Sequence, residues 1–270
     1  MSRRLAAWAG VALLLALVAV LAGWRISGGS WVRVETPSMG TRAPVGTLLW
    51  IKPVAFDSLR EGDLITFTPP GAHGVTYSHE VRSINPDGTL STQGRITAPD
   101  PWRIRASDVV GRAEMRWPGV GWLVQALPVL VLGAALVAVV AGRIRNRDAR
   151  FPVAIIGASL VIACALVAYR PLTRAERISF VPDGSGARAT YVSTGLLPVR
   201  LAAVGVPGVV LRDGQVGSVL TEHATGVQAG RQFSVSVRPS IPFGWWVVLV
   251  LACFVPGFAA SARRKANRPS

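Results

Sequence analysis

Three residues whose types combine in serine hydrolases follow one another along the chain: Ser38, His79 and Asp100. A serine hydroxyl attacks an acyl carbon only when a base takes its proton, and histidine is suited to that task near neutral pH. A carboxylate on the far imidazole nitrogen fixes the tautomer and stabilises the imidazolium. The residues are 41 and 21 positions apart, so only a folded domain could bring them together.

Each of these residues also has an ordinary structural interpretation. Ser38 follows a proline and could cap a turn, and His79 could be a hydrogen-bonded histidine in a strand. Asp100 precedes a proline, as the first residue of an Asx-type turn often does. Thr36, two residues before the serine, could make ordinary strand hydrogen bonds. The elements that must position these side chains therefore matter as much as their types.

The chain carries four uncharged stretches that are long enough to cross a bilayer, which takes about 20 apolar residues. In lipid each must be a helix, because an unpaired backbone amide there costs several kcal/mol. The predicted transmembrane helices are residues 5–25, 120–142, 151–169 and 241–261.

Basic residues at the ends of these stretches predict the orientation. They cluster in three short segments, at residues 1–4, 143–150 and 262–270. The positive-inside rule makes all three cytoplasmic. We therefore expect a multi-pass protein of the cell membrane with both termini cytoplasmic.

The first apolar stretch could instead be a signal peptide that is removed. It lacks an Ala-x-Ala cleavage site at its end, because residues 21–25 read Leu-Ala-Gly-Trp-Arg. The bulky aromatic residue and the charge favour a retained anchor.

Two extracytoplasmic segments remain, residues 26–116 and 170–240, and both are expected to be β-rich. Short runs of β-branched and aromatic residues are separated by turn signals. In the first segment Asn-Pro-Asp-Gly at 85–88 predicts a hairpin that pairs the strand of His79 with the next strand. The second segment, of about 70 residues, predicts a small β-sandwich. The predicted strands are residues 47–52, 63–68, 78–84 and 89–92, then 177–181, 189–193, 209–212 and 232–237.

Charge and cysteine content argue against several classes of function. The formal net charge is +15, yet residues 26–116 hold 10 basic and 9 acidic residues, a balance of +1. A nucleic-acid partner would need a basic stripe, so none is expected. Both cysteines fall inside apolar runs, and no cysteine–histidine cluster has metal-ligand spacing. We expect no disulfide, no metal and no cofactor.

Residues 36–121 carry a series of short motifs in a fixed order. They read Thr-Pro-Ser-Met at 36–39, Glu-Gly-Asp-Leu-Ile at 61–65, Ser-His-Glu at 78–80, Thr-Gln-Gly-Arg at 92–95 and Pro-Asp-Pro at 99–101. Their order and spacing, after an apolar anchor, resemble the type I signal peptidases of the S26 family. The resemblance is to the endoplasmic-reticulum and archaeal-like branch, which also occurs in Gram-positive bacteria. Residues 109–112 and 118–121 resemble the segment that closes that domain.

The resemblance implies a role for each residue. Ser38 would be the nucleophile, His79 the general base and Asp100 the residue that orients His79. The hydroxyl of Thr36 and the Ser38 N–H would form the oxyanion hole. The implied fold is a signal-peptidase-like β domain, followed here by a second, sandwich-like domain. Implied partners are the bilayer and signal-peptide-bearing exported preproteins, cleaved after small residues by Ser-His(-Asp) catalysis.

Several positions depart from that pattern. Arg95 stands where the family usually has an aspartate, and Glu80 replaces an arginine. Pro37 replaces a glycine, and Gly-Thr at 40–41 replaces Glu-Pro. Glu80 and Arg95 together predict a salt bridge in which the acidic and basic positions are exchanged relative to the family pattern.

Two other functions stay open. The departures allow a catalytically degenerate scaffold that assists assembly or retention of surface proteins. The second β-rich segment allows a peptidase dedicated to a few surface-protein substrates, which would dock on that segment.

Overall fold

The computed structural model describes residues 3–72, 74–183, 186–203, 206–222, 235–244 and 246–247. The chain forms two compact units that divide after Gly121.

The first unit begins with an apolar helix that is tied to the sheet after it. Helix α1 spans Arg3–Ile26. Near its end Trp24 Nε1 donates to the Ser30 carbonyl at 3.2 Å, and its ring lies 5.1 Å from that of Trp50. The space beside the Trp24 ring is taken up by the backbone of Gly29, where a Cβ would come within 2.3 Å of Nε1. The helix and the first strand are therefore held together through one tryptophan.

The rest of this unit is an antiparallel six-stranded sheet. Its strands are β1 (Ser30–Arg33), β2 (Leu48–Lys52), β3 (Leu64–Phe67), β4 (Tyr77–Ile84), β5 (Leu90–Gln93) and β6 (Val109–Trp117). The order across the sheet is β1-β2-β6-β3-β4-β5. The expected hairpin is confirmed, since β4 pairs antiparallel with β5 across residues 85–89. The four strands expected in residues 47–92 are all present.

Strands β1 and β6 were not expected from the sequence. β6 reads Val-Val-Gly-Arg-Ala-Glu-Met-Arg-Trp, so three of its nine residues are charged. It lies between β2 and β3 and pairs with both. A strand inside a sheet can carry charged residues when one of its faces meets water.

Two apolar clusters hold the sheet together. One contains Met39, Leu49 and Ile51, each with no exposed surface, and the other contains Ile65, Phe67 and Leu90. Met39 lies in a short 3₁₀ helix at Pro37–Arg42. Burial of Met39 therefore fixes the position of its neighbour Ser38.

The second unit contains two helices and two small sheets. α2 (Val120–Arg143) begins just before the division, and α3 (Arg147–Tyr169) follows it. The strands are β7 (Ala175–Asp183), β8 (Gly186–Ser193), β9 (Val199–Ala203), β10 (Val206–Leu211), β11 (Val216–Glu222) and β12 (Ser236–Pro239). They form the sheets β11-β8-β7 and β10-β9-β12. Val199, Leu201, Leu211 and Val219 form a core to which both sheets contribute.

Strands β9 and β11 were not predicted from the sequence, and α3 begins at Arg147, before its predicted start at residue 151. The expected loop at 143–150 shortens to residues 144–146, because Asn146 caps α3 by accepting a hydrogen bond from the Asp148 N–H at 2.9 Å. The arginines of this segment lie partly inside helices. The length of an uncharged stretch therefore underestimates the length of a helix whose N-cap lies outside that stretch.

Three helices in the described part of the chain are long and apolar enough to cross a membrane: Trp8–Ile26, Val120–Arg143 and Asp148–Tyr169. Apart from residues 241–244 and 246–247, the fourth predicted helix at 241–261 lies outside the described residues, as does the tail at 262–270. The count of four helices remains a prediction.

Candidate active site

His79 is buried on the second-to-last strand of the six-stranded sheet. It lies on β4, opposite Ile65 of β3, and is 4% exposed. The rings of Tyr77 and Phe67 pack against the imidazole with centroids 5.8 and 6.3 Å away. This packing limits the imidazole to a narrow range of orientations.

Ser38 occupies the first turn of the 3₁₀ helix. Thr36 is extended and Pro37 begins the helix, as its fixed φ favours. Gly40 has φ 51°, so the chain can bend there, directly after the buried Met39. The Ser38 carbonyl accepts a hydrogen bond from the Ile96 N–H at 3.0 Å. The serine is thus anchored on both sides, by a buried neighbour and by the loop after β5.

Asp100 lies at the end of that loop, where the chain returns to β5. Gln93 and Pro99 form an isolated bridge, and the Asp100 N–H donates to the Thr92 carbonyl at 2.9 Å. Gly94 permits the close approach, because a Cβ there would lie 2.8 Å from the Ser38 carbonyl oxygen. One loop therefore contacts the serine and carries the aspartate.

The structure brings Ser38, His79 and Asp100 into one hydrogen-bonded chain. Ser38 Oγ lies 2.9 Å from His79 Nε2, and His79 Nδ1 lies 2.7 Å from Asp100 Oδ2. Both contacts are satisfied when Nδ1 carries the proton and Nε2 accepts from the serine hydroxyl. A serine in this arrangement can lose its proton to the imidazole as it attacks.

Thr36 lies beside the serine hydroxyl. Its Oγ1 is 3.4 Å from Ser38 Oγ, and its side chain is exposed. The hydroxyl is thus near the point where an oxyanion would form.

A groove of about 570 Å³ opens beside Ser38 and His79. One wall is the extended chain at residues 31–36, and the other is residues 74–79. β1, which begins the first wall, lies at the edge of the sheet. Arg33 and Glu35 form an ion pair along that wall. The groove is thus lined by the edge strand of the sheet and by both Ser38 and His79.

The expected salt bridge of exchanged sign is confirmed, and a second arginine joins it. Arg95 Nε lies 2.7 Å from Glu80 Oε2, and Arg42 Nε lies 2.9 Å from Glu80 Oε1. The carboxylate is largely covered, with its side chain 13% exposed. Arg95 is therefore paired with Glu80, a carboxylate that it shares with Arg42.

Sequence reasoning assigned no role to Thr92, Gly94 or Arg42. Thr92 and Gly94 fall within a recognised motif, but the two contacts that involve them, on Asp100 and on Ser38, need the loop 94–100 to fold back. Arg42 carried no signal at all. Its partner is 38 positions away, and a lone arginine does not reveal such a partner.

Among the described residues, no group of three or more His, Cys, Asp and Glu side chains is placed to hold a metal ion. Comparisons with protein-family models and with curated proteins find no match to this chain.

Proposed function

We propose that this protein is a membrane-bound serine endopeptidase of the signal peptidase I type, which removes signal peptides from exported preproteins. The observation that carries the proposal is the chain of hydrogen bonds from Ser38 through His79 to Asp100, at 2.9 and 2.7 Å, beside an open groove. The motifs that resemble the S26 family are the ones that supply these three residues.

The reaction follows from the atoms in place. Ser38 Oγ attacks the scissile carbonyl while its proton moves to His79 Nε2, and Asp100 stabilises the imidazolium. The imidazolium then protonates the leaving amine as the C–N bond breaks, which leaves an acyl-serine. His79 then takes a proton from water, which attacks that ester, and the imidazolium gives this proton to Ser38 Oγ as the acyl C–O bond breaks. The products are the amine and carboxylic acid ends of the cut chain, and Ser38 and His79 regain their starting protonation.

The groove supports a substrate in extended form. A peptide laid along residues 31–36 could pair with the edge of the sheet, and its alternate side chains would enter the groove. Small residues at the first and third positions before the scissile bond fit the resemblance. No part of this recognition needs a cofactor.

Charge placement supports an orientation with the β domain outside the cell. Arg3 and Arg4 precede the apolar part of α1, and a second basic cluster lies around the turn from α2 to α3. Both are cytoplasmic by the positive-inside rule. The groove would then meet a preprotein as it leaves the membrane, at a high effective concentration.

The decisive experiment compares wild type with Ser38→Ala in cells that express signal-bearing exported proteins. New N-termini are identified by mass spectrometry, and Ser107→Ala, which removes an exposed hydroxyl far along the chain, is the control. We expect cleavage after small residues in wild type and Ser107→Ala, and none in Ser38→Ala. Cleavage in all three would sink the proposal.

The scaffold alternative has its own outcome in the same experiment. If wild type cuts no exported protein, the ordered triad is idle and a scaffold role stands. The ion pair of Glu80 with Arg95 argues against idleness, because it gives the residue that departs most from the family pattern a carboxylate partner on the strand of His79.

The dedicated-substrate alternative requires residues 170–240 to select what is cut. Removing residues 172–238 should then abolish cleavage of some exported proteins and spare others. Unchanged cleavage of every substrate would reject that role.

A further inference from the structure

One oxygen of Asp100 accepts two hydrogen bonds. Oδ2 lies 2.7 Å from His79 Nδ1 and also 2.7 Å from Thr92 Oγ1. An ionised carboxylate can only accept, so the threonine hydroxyl is the donor. The oxygen that faces the imidazole is therefore the one that the threonine holds.

Thr92 is built firmly into the sheet. It lies on β5 opposite Val81 of β4, and none of its surface is exposed. Its carbonyl also accepts the Asp100 N–H at 2.9 Å. A β-branched side chain has a stiff χ1, so Thr92 holds Asp100 at two fixed points, one on the main chain and one on the carboxylate.

The carboxylate needs such a restraint. The terminal torsion of aspartate has a broad, roughly two-fold distribution. Asp100 also follows a loop that carries no regular secondary structure. The backbone contact alone fixes where the residue is, and the hydroxyl contact fixes which way its oxygen points.

We propose that Thr92 is a positioning residue of this site: its hydroxyl keeps Asp100 Oδ2 on His79 Nδ1, and so sets the tautomer that deprotonates Ser38. The inference rests on the proposed function, since it concerns the same triad. Thr92 touches neither substrate nor nucleophile and acts through Asp100.

The test uses the full chain purified in detergent and a biotinylated fluorophosphonate as probe. The second-order rate of Ser38 modification is measured by peptide mass spectrometry, across the pH range in which histidine titrates. Thr92→Val keeps the shape and removes the hydroxyl, and Thr92→Ser keeps the hydroxyl. We expect the valine variant to react about 10- to 100-fold more slowly, as a partial loss of general-base assistance. The serine variant should stay within about threefold of wild type.

A double-mutant cycle separates positioning from mere packing. Asp100→Ala should itself slow the reaction by a factor on the order of 10⁴. Adding Thr92→Val to that variant should change nothing further, because the hydroxyl then has no side-chain oxygen at position 100 to hold. A slowing by Thr92→Val that is equal in both backgrounds would mean a structural role and overturn the inference.

The remaining outcomes tell the two proposals apart. If wild type and Thr92→Val react at the same rate with the same pH profile, the inference fails while the reactive Ser38 still supports the peptidase. If wild-type Ser38 does not react, both proposals fail. Should Thr92→Val lower the Tm sharply, Thr92→Ala and Thr92→Ser provide the same contrast with smaller side chains, and the same outcomes apply.

Discussion

Arg95 and Glu80 form an ion pair in which Nε lies 2.7 Å from Oε2. The pair joins the loop that leads to Asp100 with the strand that carries His79. Arg42, at the end of the 3₁₀ helix of Ser38, binds the other oxygen of the same carboxylate. One glutamate therefore connects the three segments that supply the proposed triad.

The first prediction concerns this cluster. Glu80→Gln should destabilise the protein by about 1 kcal/mol, because both arginines are partly exposed and their pairs are screened. It should slow fluorophosphonate modification of Ser38 more than its loss of stability explains. Tm and modification rate, measured on the same samples, check both effects.

Charge reversal provides the control for that prediction. Glu80→Arg places three cations together and should be the most damaging single change. Adding Arg95→Glu restores an opposite pair and should recover part of the modification rate. If the double variant is no better than Glu80→Arg, the pair does not act as described.

A second prediction concerns the contact between Gly94 and the serine. A Cβ at position 94 would lie 2.8 Å from the Ser38 carbonyl oxygen and 2.6 Å from Thr97 Oγ1. Gly94→Ala should therefore displace Ser38 and reduce its reactivity strongly, with a loss of about 1–3 kcal/mol from overpacking. Gly88→Ala is the matched control, since its φ of 75° is strained but no atom lies within 4 Å of its Cβ. It should lose stability and keep a reactive serine.

The third prediction concerns Thr36 and the oxyanion. If its hydroxyl stabilises the developing charge, Thr36→Val should lower kcat by about 10²- to 10³-fold, with little change in KM. Thr36→Ser should retain most of the activity. Steady-state cleavage of a signal-bearing preprotein measures both constants. A valine variant that raises KM alone would assign Thr36 to substrate binding.

The fourth prediction is a pH dependence of stability in the second unit. Burial raises the pKa of Asp213 from the ordinary range of an aspartate to about 6, although the Gly214 N–H opposes the shift. The folded state then binds a proton more tightly than the unfolded state, so stability falls as the pH rises from about 4 to about 6. Asp213→Asn should remove this penalty and stabilise the protein at pH values above about 6, by roughly 1 kcal/mol after allowance for partial exposure.

Asp87 should show the opposite dependence of stability on pH, which the same Tm measurements can detect. Hydrogen bonds from the Thr89 hydroxyl and N–H lower the pKa of Asp87. Its contribution to stability is present above its ordinary pKa and is lost as the pH falls below it. Tm of Asp213→Asn and Asp87→Asn, measured in detergent at acidic and neutral pH, should therefore shift in opposite directions at neutral pH. A common direction would contradict both assignments.

The sequence predicts best those elements whose own residue types and spacing are distinctive, without reference to distant parts of the chain. The three described apolar helices and the hairpin of β4 and β5 follow from residue type and spacing. The pair of Glu80 with Arg95 follows from two departures from the family pattern that the sequence resembles. β6 escapes prediction because its charged residues face outward in a sheet whose neighbours come from distant parts of the chain. Thr92 escapes because its hydroxyl acquires a partner only when the loop 94–100 returns to β5.

The hydrogen bond from Trp24 to the Ser30 carbonyl ties the end of α1 to the first strand of the β domain. The apolar part of α1 has 19 residues, about 28 Å at the usual helical rise. An apolar stretch of that length is close to a hydrocarbon core of about 30 Å, and a thicker bilayer has to thin around it. If α1 spans a bilayer as proposed, the tie at Trp24 would keep the groove close to the lipid headgroups. The thickness of the bilayer would then influence how far Ser38 lies from the membrane surface.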